Sequence, residues 1–361
     1  MTSVRVEQVF KVFGPQPAEV VRMLREGAGQ DEVRAAGATP AVVDASFCVH
    51  DGETFVVMGL SGSGKSTLIR MVNGLLTPTS GRIHVDEEEI TAMSAKALRT
   101  MRQRTMSMVF QHFALFPHRT VLDNAGYGLR VRGTGRDEIR TRALEALSLV
   151  GLEGWEQRYP QQLSGGMRQR VGLARALAAG TDVLLMDEAF SALDPLIKRE
   201  MQDQLVDLQA RLGKTIIFIT HDLNEAMRLG DRIAVMRAGR IVQIGTSEQI
   251  LDEPADDYVA KFIRDVDRSR VLTAADVVRT TGGDGSGDRG DLDEALASLR
   301  QRHVVGDPVV ATTPMHELFP LMSGEGTVLP VIDGQRRLLG VVTADALFEA
   351  LNPAARRHRD D

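Results

Sequence analysis

The chain has 361 residues, of which 43% are hydrophobic and 25% are charged, and its formal net charge is -6 at pH 7. This length predicts about two or three globular domains, and the negative charge argues against a nucleic-acid-binding protein, which would show a basic surface. The single cysteine excludes an internal disulfide and favours a reducing compartment. No segment reaches the about 18 apolar residues of a membrane helix, so we expect a soluble, cytoplasmic chain.

Hydrophobic periodicity predicts the elements of the first part of the chain in order. A strand is expected at residues 4–10, then helical spacing around residues 20–24, then a strand at residues 45–49. A further strand at residues 54–58 leads through a glycine-rich loop into a helix at residues 65–73. Strand, loop and helix in this order are the setting in which a phosphate-binding motif functions.

The middle of the chain, at about residues 112–180, is predicted to be mainly helical. A strand at residues 183–186, a helix at residues 200–212 and a strand at residues 215–219 follow it. Strands that alternate with helices indicate a parallel α/β sheet.

The last part of the chain carries a different pattern. A Gly- and Asp-rich tract that begins near residue 280 has the composition of a flexible linker. A helix at residues 292–302 and a strand-strand-helix unit that ends near residue 351 come after it. We therefore expect a second, smaller α+β domain.

The glycine-rich loop has the pattern Gly59-x-x-x-x-Gly64-Lys65-Ser66. Its glycines let backbone N–H groups turn toward phosphate oxygens, and the helix N-terminus adds a favourable partial charge. In such a loop the lysine pairs with the β- and γ-phosphates and the hydroxyl ligates Mg²⁺. A glycine-rich turn without a ligand is the alternative, and the register of strand, lysine, hydroxyl and helix argues against it.

Two adjacent carboxylates, Asp187 and Glu188, follow the apolar strand at residues 183–186. Neighbouring side chains leave a strand in different directions, so the two can hold separate roles. We expect Asp187 to bind Mg²⁺ through water, and Glu188 to polarise the water that attacks the γ-phosphate. An acidic N-cap of the next helix is the alternative interpretation.

A second anion-binding helix start is predicted where Ser164, Gly165 and Gly166 precede an amphipathic helix at residues 167–178. Small residues at a helix N-terminus leave backbone N–H groups open to an anion. Because one ATP needs only one such site in its own chain, we expect a head-to-tail dimer. In that dimer the Ser164 loop closes on the γ-phosphate held by the partner copy. Taken alone, Ser-Gly-Gly would be a common turn.

With these motifs in this order, residues 1–265 resemble an ATP-binding cassette (ABC) ATPase. The resemblance implies a P-loop α/β fold with a parallel-sheet core, an antiparallel β subdomain and a helical subdomain at about residues 112–180. It implies that ATP and Mg²⁺ are bound. The nucleotide-binding residues that it implies are Phe13, Gly59, Ser61, Gly62, Ser63, Gly64, Lys65, Ser66 and Thr67.

The same resemblance implies roles for residues outside the glycine-rich loop. Gln111 matches the glutamine that contacts Mg²⁺ and the attacking water, and His221 matches the histidine that contacts the γ-phosphate; ordinary polar roles are the alternative for both. Asp194 matches the loop that crosses the dimer interface and contacts the partner's ATP. Phe13 occupies the position of an aromatic that stacks on adenine, although Phe10 is near enough to compete.

The chain most closely resembles one branch of the family, the ATPase subunits of glycine betaine, proline and choline uptake systems. The resemblance is carried by residues 113–118, 164–177 and 187–197, and by an additional segment between residues 13 and 45. Besides a second copy of the chain, the branch implies a transmembrane permease and a periplasmic or lipid-anchored solute-binding protein, and no nucleic acid. The chain would then lie peripherally on the inner face of the cell membrane. Because the ATPase does not touch the solute, the solute and the direction of transport rest on the resemblance alone.

The end of the chain supports that branch, because residues 291–355 resemble a CBS module, a regulatory α+β unit. Such modules come in pairs, whereas residues 266–290 hold only a linker and a reduced first half. Where nucleotide-binding modules have an Asp, this chain has Ala346, with Asp345 one position early. We therefore expect a structural or dimer-packing role ahead of nucleotide binding or ionic-strength sensing.

A small basic cluster at the C-terminus consists of Arg356, Arg357 and Arg359. Each such residue near anionic lipid contributes about 1 kcal/mol, but Asp360 and Asp361 oppose them. A solvated tail is favoured over a membrane contact.

Two alternative functions belong to other classes. A soluble ABC protein of DNA repair or translation would carry a long coiled-coil insertion or two cassettes, and a basic surface. A ligand sensor with a degenerate ATPase would lack a catalytic residue, and none is missing here. The motifs favour an ATPase that drives transport.

Overall fold

The structure, a computed structural model, describes residues 2–111, 114–264, 267–279, 292–301, 303–322 and 326–351. The chain divides into two compact units, Met1–Thr246 and Ser247–Asp361; the predicted boundaries at residues 265 and 290 stay predictions. The Gly- and Asp-rich tract, Phe113 and the terminal arginines lie outside the described residues. Among the described helices, none is both long and apolar enough to cross a membrane.

The strands of the first unit belong to two sheets. They are β1 (Val4–Phe13), β2 (Thr39–Val49), β3 (Thr54–Met58), β4 (Ser80–Val85), β5 (Glu88–Glu89), β6 (Met106–Phe110), β7 (Val183–Asp187), β8 (Thr215–Thr220), β9 (Arg232–Arg237) and β10 (Arg240–Gly245).

The helices of the first unit lie between these strands, and four of them follow one another between β6 and β7. They are α1 (Pro17–Arg25), α2 (Gln30–Ala35), α3 (Lys65–Val72), α4 (Ala95–Thr105), α5 (Val121–Ala125), α6 (Tyr127–Val131), α7 (Arg136–Leu149), α8 (Gly165–Ala178), α9 (Pro195–Leu212) and α10 (Leu223–Leu229).

The larger sheet has the strand order β10-β9-β3-β8-β7-β6. Its strands run parallel except for β10, which pairs antiparallel with β9. Every residue of β3, β7 and β8 is buried, as the nearly continuous apolar runs of a sheet covered on both faces require. The predicted parallel core is confirmed, and the carboxyl ends of β3, β7 and β8 meet at one edge, where ligands bind in such sheets.

The smaller sheet is antiparallel, in the order β2-β1-β4-β5. Its first two strands are longer than predicted: β1 continues to Phe13 and β2 begins at Thr39. The pairing contains register shifts, and Gln8 has a φ of 46°. Because Val9 and Phe10 are both buried, the alternation of buried and exposed residues is interrupted there. A strand prediction that depends on strict alternation therefore ends too early, at residue 10.

The additional segment after β1 forms α1 and α2, in agreement with the predicted helical spacing. Its apolar side chains pack against β1 and β2 of the antiparallel sheet. The buried residues of this cluster are Phe10, Val12, Val20, Val21, Leu24, Val33, Ala38 and Val43. The segment is therefore an extension of the β subdomain with a core of its own.

The second unit contains short helices and a small sheet. The helices are α11 (Ser247–Asp252), α12 (Asp257–Phe262), α13 (Arg268–Val271), α14 (Ala274–Val277), α15 (Leu292–Arg300), α16 (Met315–Leu318) and α17 (Ala344–Leu351); the strands are β11 (Val304–Val305), β12 (Val309–Val310), β13 (Thr327–Ile332) and β14 (Leu338–Val342). Strands β11 and β12 run parallel to β13, and β14 pairs antiparallel with it.

Candidate active site

The glycine-rich loop connects β3 to α3, and two of its glycines are required by geometry. Gly59 has a φ of 152°, and a Cβ there would lie 2.2 Å from the carbonyl oxygen of Met236. Gly64 has a φ of 104°, and its Cβ would lie 2.1 Å from the carbonyl oxygen of Ala41. Any other residue would displace backbone, so the loop is held against β9 and β2 in one shape.

Within this loop, Lys65 is buried and points back at its own backbone. Its ammonium donates to the carbonyl oxygens of Gly59 at 2.8 Å and Leu60 at 3.1 Å. Burial lowers the pKa of Lys65, while the nearby charges of Glu188 and Asp187 act in the opposite direction. The loop thus holds a desolvated cation that a phosphate group would stabilise.

The hydroxyl of Ser63 is a second feature of the loop that fits a phosphate. Its oxygen is buried and has no hydrogen-bond partner. An unsatisfied buried hydroxyl costs about 1–3 kcal/mol, and a phosphate oxygen within its reach would offset that cost.

An oxygen-rich pair for Mg²⁺ lies where α3 begins and β7 ends. The hydroxyl of Ser66 donates to Oδ1 of Asp187 at 2.9 Å, and Nη2 of Arg70 lies 3.8 Å from Oδ2. Burial raises the pKa of Asp187, although the Ser66 hydrogen bond and the Arg70 charge oppose it. Hydroxyl and carboxylate oxygens are the donors that Mg²⁺ prefers.

Ser66 and Asp187 do not form a metal site that is made of protein ligands alone. Among the described residues, no group of three or more His, Cys, Asp or Glu side chains could hold a metal. Mg²⁺ commonly keeps waters and binds substrate phosphates together with one or two protein oxygens. Ser66 and Asp187 therefore fit an ion that arrives with a nucleotide.

Glu188 is the point at which the predicted catalytic residues meet. Its Oε2 atom accepts a hydrogen bond from Nε2 of Gln111 at 3.3 Å and lies 3.3 Å from Nδ1 of His221. Its Oε1 atom lies 4.0 Å from Nζ of Lys65. The backbone of Glu188 has a φ of 46°, a conformation that costs free energy and tends to persist at functional sites. The side chain stays 18% exposed, which is enough for contact with a water molecule.

Two residues of this site escaped the sequence analysis. The hydroxyl of Ser191 donates to the carbonyl oxygen of Glu188 at 2.9 Å and accepts from Nε2 of Gln111 at 3.2 Å. Arg70 reaches Asp187 as described above. Arg70 lies four residues after Ser66 on the same helix face, a spacing that could have revealed it; Ser191 had only the weaker signal of a serine in a turn.

The aromatic residues at the end of β1 differ in exposure. Phe13 is 44% exposed, and Nζ of Lys11 lies 5.2 Å from its ring centroid. Phe10 is 2% exposed and packs in the cluster with α1. Only Phe13 of these two offers a ring face to a ligand, and its stacking on adenine stays a prediction.

The residues predicted to face a partner copy lie elsewhere on the surface. Ser164 is exposed and caps α8 by accepting from the N–H of Met167 at 3.3 Å. Asp194 is exposed and caps α9 by accepting from the N–H of Ile197 at 3.2 Å. In the described part of the chain, no hydrogen bond or ion pair joins either one to the cluster around Glu188.

Fold and site together define a P-loop ATPase. A family model described as ABC transporter matches residues 42–191. The chain is 48% identical to the glycine betaine transport ATP-binding protein OpuAA of Bacillus subtilis (strain 168), over 96% of this chain and 92% of that protein. It is 46% identical to the trimethylamine N-oxide transport system ATP-binding protein TmoW of Ruegeria pomeroyi, over 93% and 96%.

Among solved structures, a dimeric post-hydrolysis state of the ATP-binding cassette MJ0796, bound to ADP and Pi, is similar with a TM-score of 0.58 and 30% identity. That match covers 68% of this chain and 98% of the other. The chain belongs to the ABC transporter family and, within it, to the glycine betaine transport ATP-binding proteins. It is an ABC-type ATPase with the P-loop cassette fold.

Proposed function

We propose that this chain hydrolyses ATP to power a membrane importer for small methylated amines such as glycine betaine. The observation that carries the proposal is the meeting of Lys65, Gln111 and His221 around the carboxylate of Glu188. The solute class rests on the relatives, one named for glycine betaine and another for trimethylamine N-oxide. Both compounds carry three methyl groups on nitrogen.

Binding of ATP would begin in the glycine-rich loop. Lys65 would exchange the carbonyl oxygens of Gly59 and Leu60 for β- and γ-phosphate oxygens, and Ser63 would gain a hydrogen-bond partner. Ser66 and Asp187 would hold Mg²⁺, which neutralises phosphate charge when bound. The exposed ring of Phe13 would stack on adenine.

Hydrolysis would depend on Glu188 and the residues that contact it. The Glu188 carboxylate would accept a hydrogen bond from the attacking water and orient it. Gln111 and His221, which both approach Oε2, would fix the carboxylate and contribute polar groups beside the γ-phosphate. Because phosphoryl transfer needs mainly positioning and charge stabilisation, this arrangement is sufficient without a covalent intermediate.

The complete site would be shared between two copies of the chain. Ser164, Gly165 and Gly166 start α8, and Gly165 has no atom within 4 Å of an added Cβ, so a phosphate has room to approach. Asp194 stands exposed at the start of α9. Both loops would contact the ATP held by the partner copy in a head-to-tail dimer.

A cross-linking experiment tests the dimer. In a Cys48→Ser background, Ser61→Cys chains are mixed with Ser164→Cys chains and treated with a short thiol cross-linker. Both positions are exposed, and we expect ATP to increase a covalent dimer that needs both variants. Each variant alone is the control. Cross-linking of Ser61→Cys chains to one another, with no Ser61–Ser164 cross-link in the mixture, would contradict the head-to-tail arrangement.

The remaining partners follow from the transport role. The chain would bind a transmembrane permease on the inner face of the cell membrane, and a periplasmic or lipid-anchored protein would deliver the solute.

In cells lacking the chain, we expect the wild type to restore uptake of labelled glycine betaine, and Glu188→Gln not to restore it. The tagged wild type should co-purify with a multi-span membrane protein. Uptake that is equal with both variants would refute the transport role.

The second unit would act as a packing or regulatory domain that binds no nucleotide. Strands β13 and β14 and helix α17 form the unit predicted to resemble a CBS module. Ala346, at the position where nucleotide-binding modules have an Asp, is buried, whereas Asp345 is exposed. A buried alanine has no polar side-chain group with which to bind a nucleotide, which supports the structural role.

A further inference from the structure

A group of charged side chains joins α9 to α10 beside the active site. Nζ of Lys198 lies 2.6 Å from Oδ2 of Asp222 and 3.7 Å from Oε1 of Glu225. The Lys198 side chain is 19% exposed and that of Glu225 only 2%. The reaction described above uses none of these three residues.

The group holds the backbone on both sides of His221. The N–H of Asp222 donates to the hydroxyl of Thr220 at 2.9 Å, and that hydroxyl donates in turn to Glu225. Asp222 also accepts from the N–H groups of Asn224 and Glu225 at the start of α10. His221 stands between two residues that belong to one partly buried polar network.

The opposite end of the network reaches the loop predicted to face the partner copy. The backbone N–H of Lys198 donates to the carbonyl oxygen of Asp194 at 2.9 Å. Gln202, one turn further along α9, donates to Oε1 of Glu225 at 3.3 Å. The first two turns of α9 therefore connect Asp194 to the residues that flank His221.

Stability alone does not account for charges at this place. A buried ion pair can often be replaced by apolar residues without loss of stability, because desolvation offsets the attraction between the charges. In some proteins such a pair is retained because it fixes the geometry of its neighbours. In this network the neighbour with chemistry to perform is His221.

We propose that Lys198 is a positioning residue that fixes His221 for ATP hydrolysis. The inference rests on the role proposed for His221. Lys198 acts by holding Asp222 and Glu225.

The test is a double-mutant cycle between Lys198→Met and His221→Ala, measured by single-turnover hydrolysis of labelled ATP by the full chain. In the wild-type background, Lys198→Met should lower the hydrolysis rate by about 10- to 100-fold, since small misplacements of a catalytic group have effects of that size. The KM for ATP should change less than about threefold, because the glycine-rich loop is untouched. In the His221→Ala background, the further loss should be less than about threefold, since coupled residues are not additive.

Two further variants separate positioning from folding. Lys198→Arg keeps the charge and should recover most of the rate, whereas Lys214→Met removes a lysine from a comparable pair with Asp182 at 3.6 Å and should leave the rate unchanged. If Lys198→Met does not fold, Lys198→Gln takes its place in the cycle.

The outcomes distinguish this inference from the proposal beneath it. Equal losses from Lys198→Met in both backgrounds, or a normal rate in Lys198→Met, would overturn the inference and leave the role of His221 intact. A normal rate in His221→Ala would overturn the role of His221, and the inference with it.

Discussion

Replacing Glu188 by Gln should lower steady-state ATP turnover by about 10²- to 10⁴-fold, the range typical of a positioned general base. The amide keeps the shape of the side chain and an oxygen that can accept from Gln111, but it loses the charge and basicity that orient the attacking water. Lys65 and Ser66 are unchanged, so ATP should still bind and should accumulate in a closed dimer. Phosphate release measures turnover, and size-exclusion chromatography with ATP detects the dimer.

A matched control is Glu138→Gln, which makes the same chemical change at an exposed position on α7, where Glu138 pairs with Arg142 at 3.3 Å. This variant should retain normal turnover. A surface ion pair contributes at most about 1 kcal/mol to stability, and Glu138 and Arg142 do not belong to the active site. Near-normal turnover in Glu188→Gln would remove Glu188 from the role of base.

The parts of the site that could be predicted from sequence are those in which local order decides geometry. A buried strand, a glycine-rich turn and a helix must place Lys65 and Ser66 at the edge of a parallel sheet. Asp187 ends β7, which is separated from β3 only by β8 in that sheet. Strand ends that share an edge bring Glu188 and His221 together, since β7 and β8 are adjacent. The resemblance assigned roles to these residues, and the topology explains why they meet.

What the sequence could not predict depends on contacts between distant segments. Ser191 lies on a loop, which has no hydrophobic periodicity. Lys198 lies on α9, whose periodicity reveals only which face of the helix is buried. Each of the two residues has a partner on another element of the fold. The extension of β1 to Phe13 was missed because register shifts interrupt the alternation on which strand prediction depends. Exposure then distinguished Phe13 from Phe10, which the pattern of aromatic residues alone could not do.

Removing the ammonium of Lys65 should impair the step that precedes hydrolysis. Lys65→Met keeps an apolar chain of similar length in a site that is 3% exposed, but leaves the carbonyl oxygens of Gly59 and Leu60 without their donor. It also removes the desolvated charge that would meet the β- and γ-phosphates, where such donors contribute about 10²- to 10³-fold in rate.

We therefore expect Lys65→Met to weaken ATP binding more than tenfold, about 1.4 kcal/mol, and to lower turnover at least 10²-fold, whereas Glu188→Gln loses turnover alone. Isothermal titration with a nonhydrolysable ATP analogue measures the first effect and phosphate release the second. Lys96→Met, at an exposed position on α4, is the control for loss of a lysine and should bind ATP normally. Because binding and hydrolysis are assigned to different side chains of one cluster, the two variants must differ in affinity. If Lys65→Met binds the analogue as tightly as Glu188→Gln does, Lys65 does not contribute to binding of the phosphates of ATP.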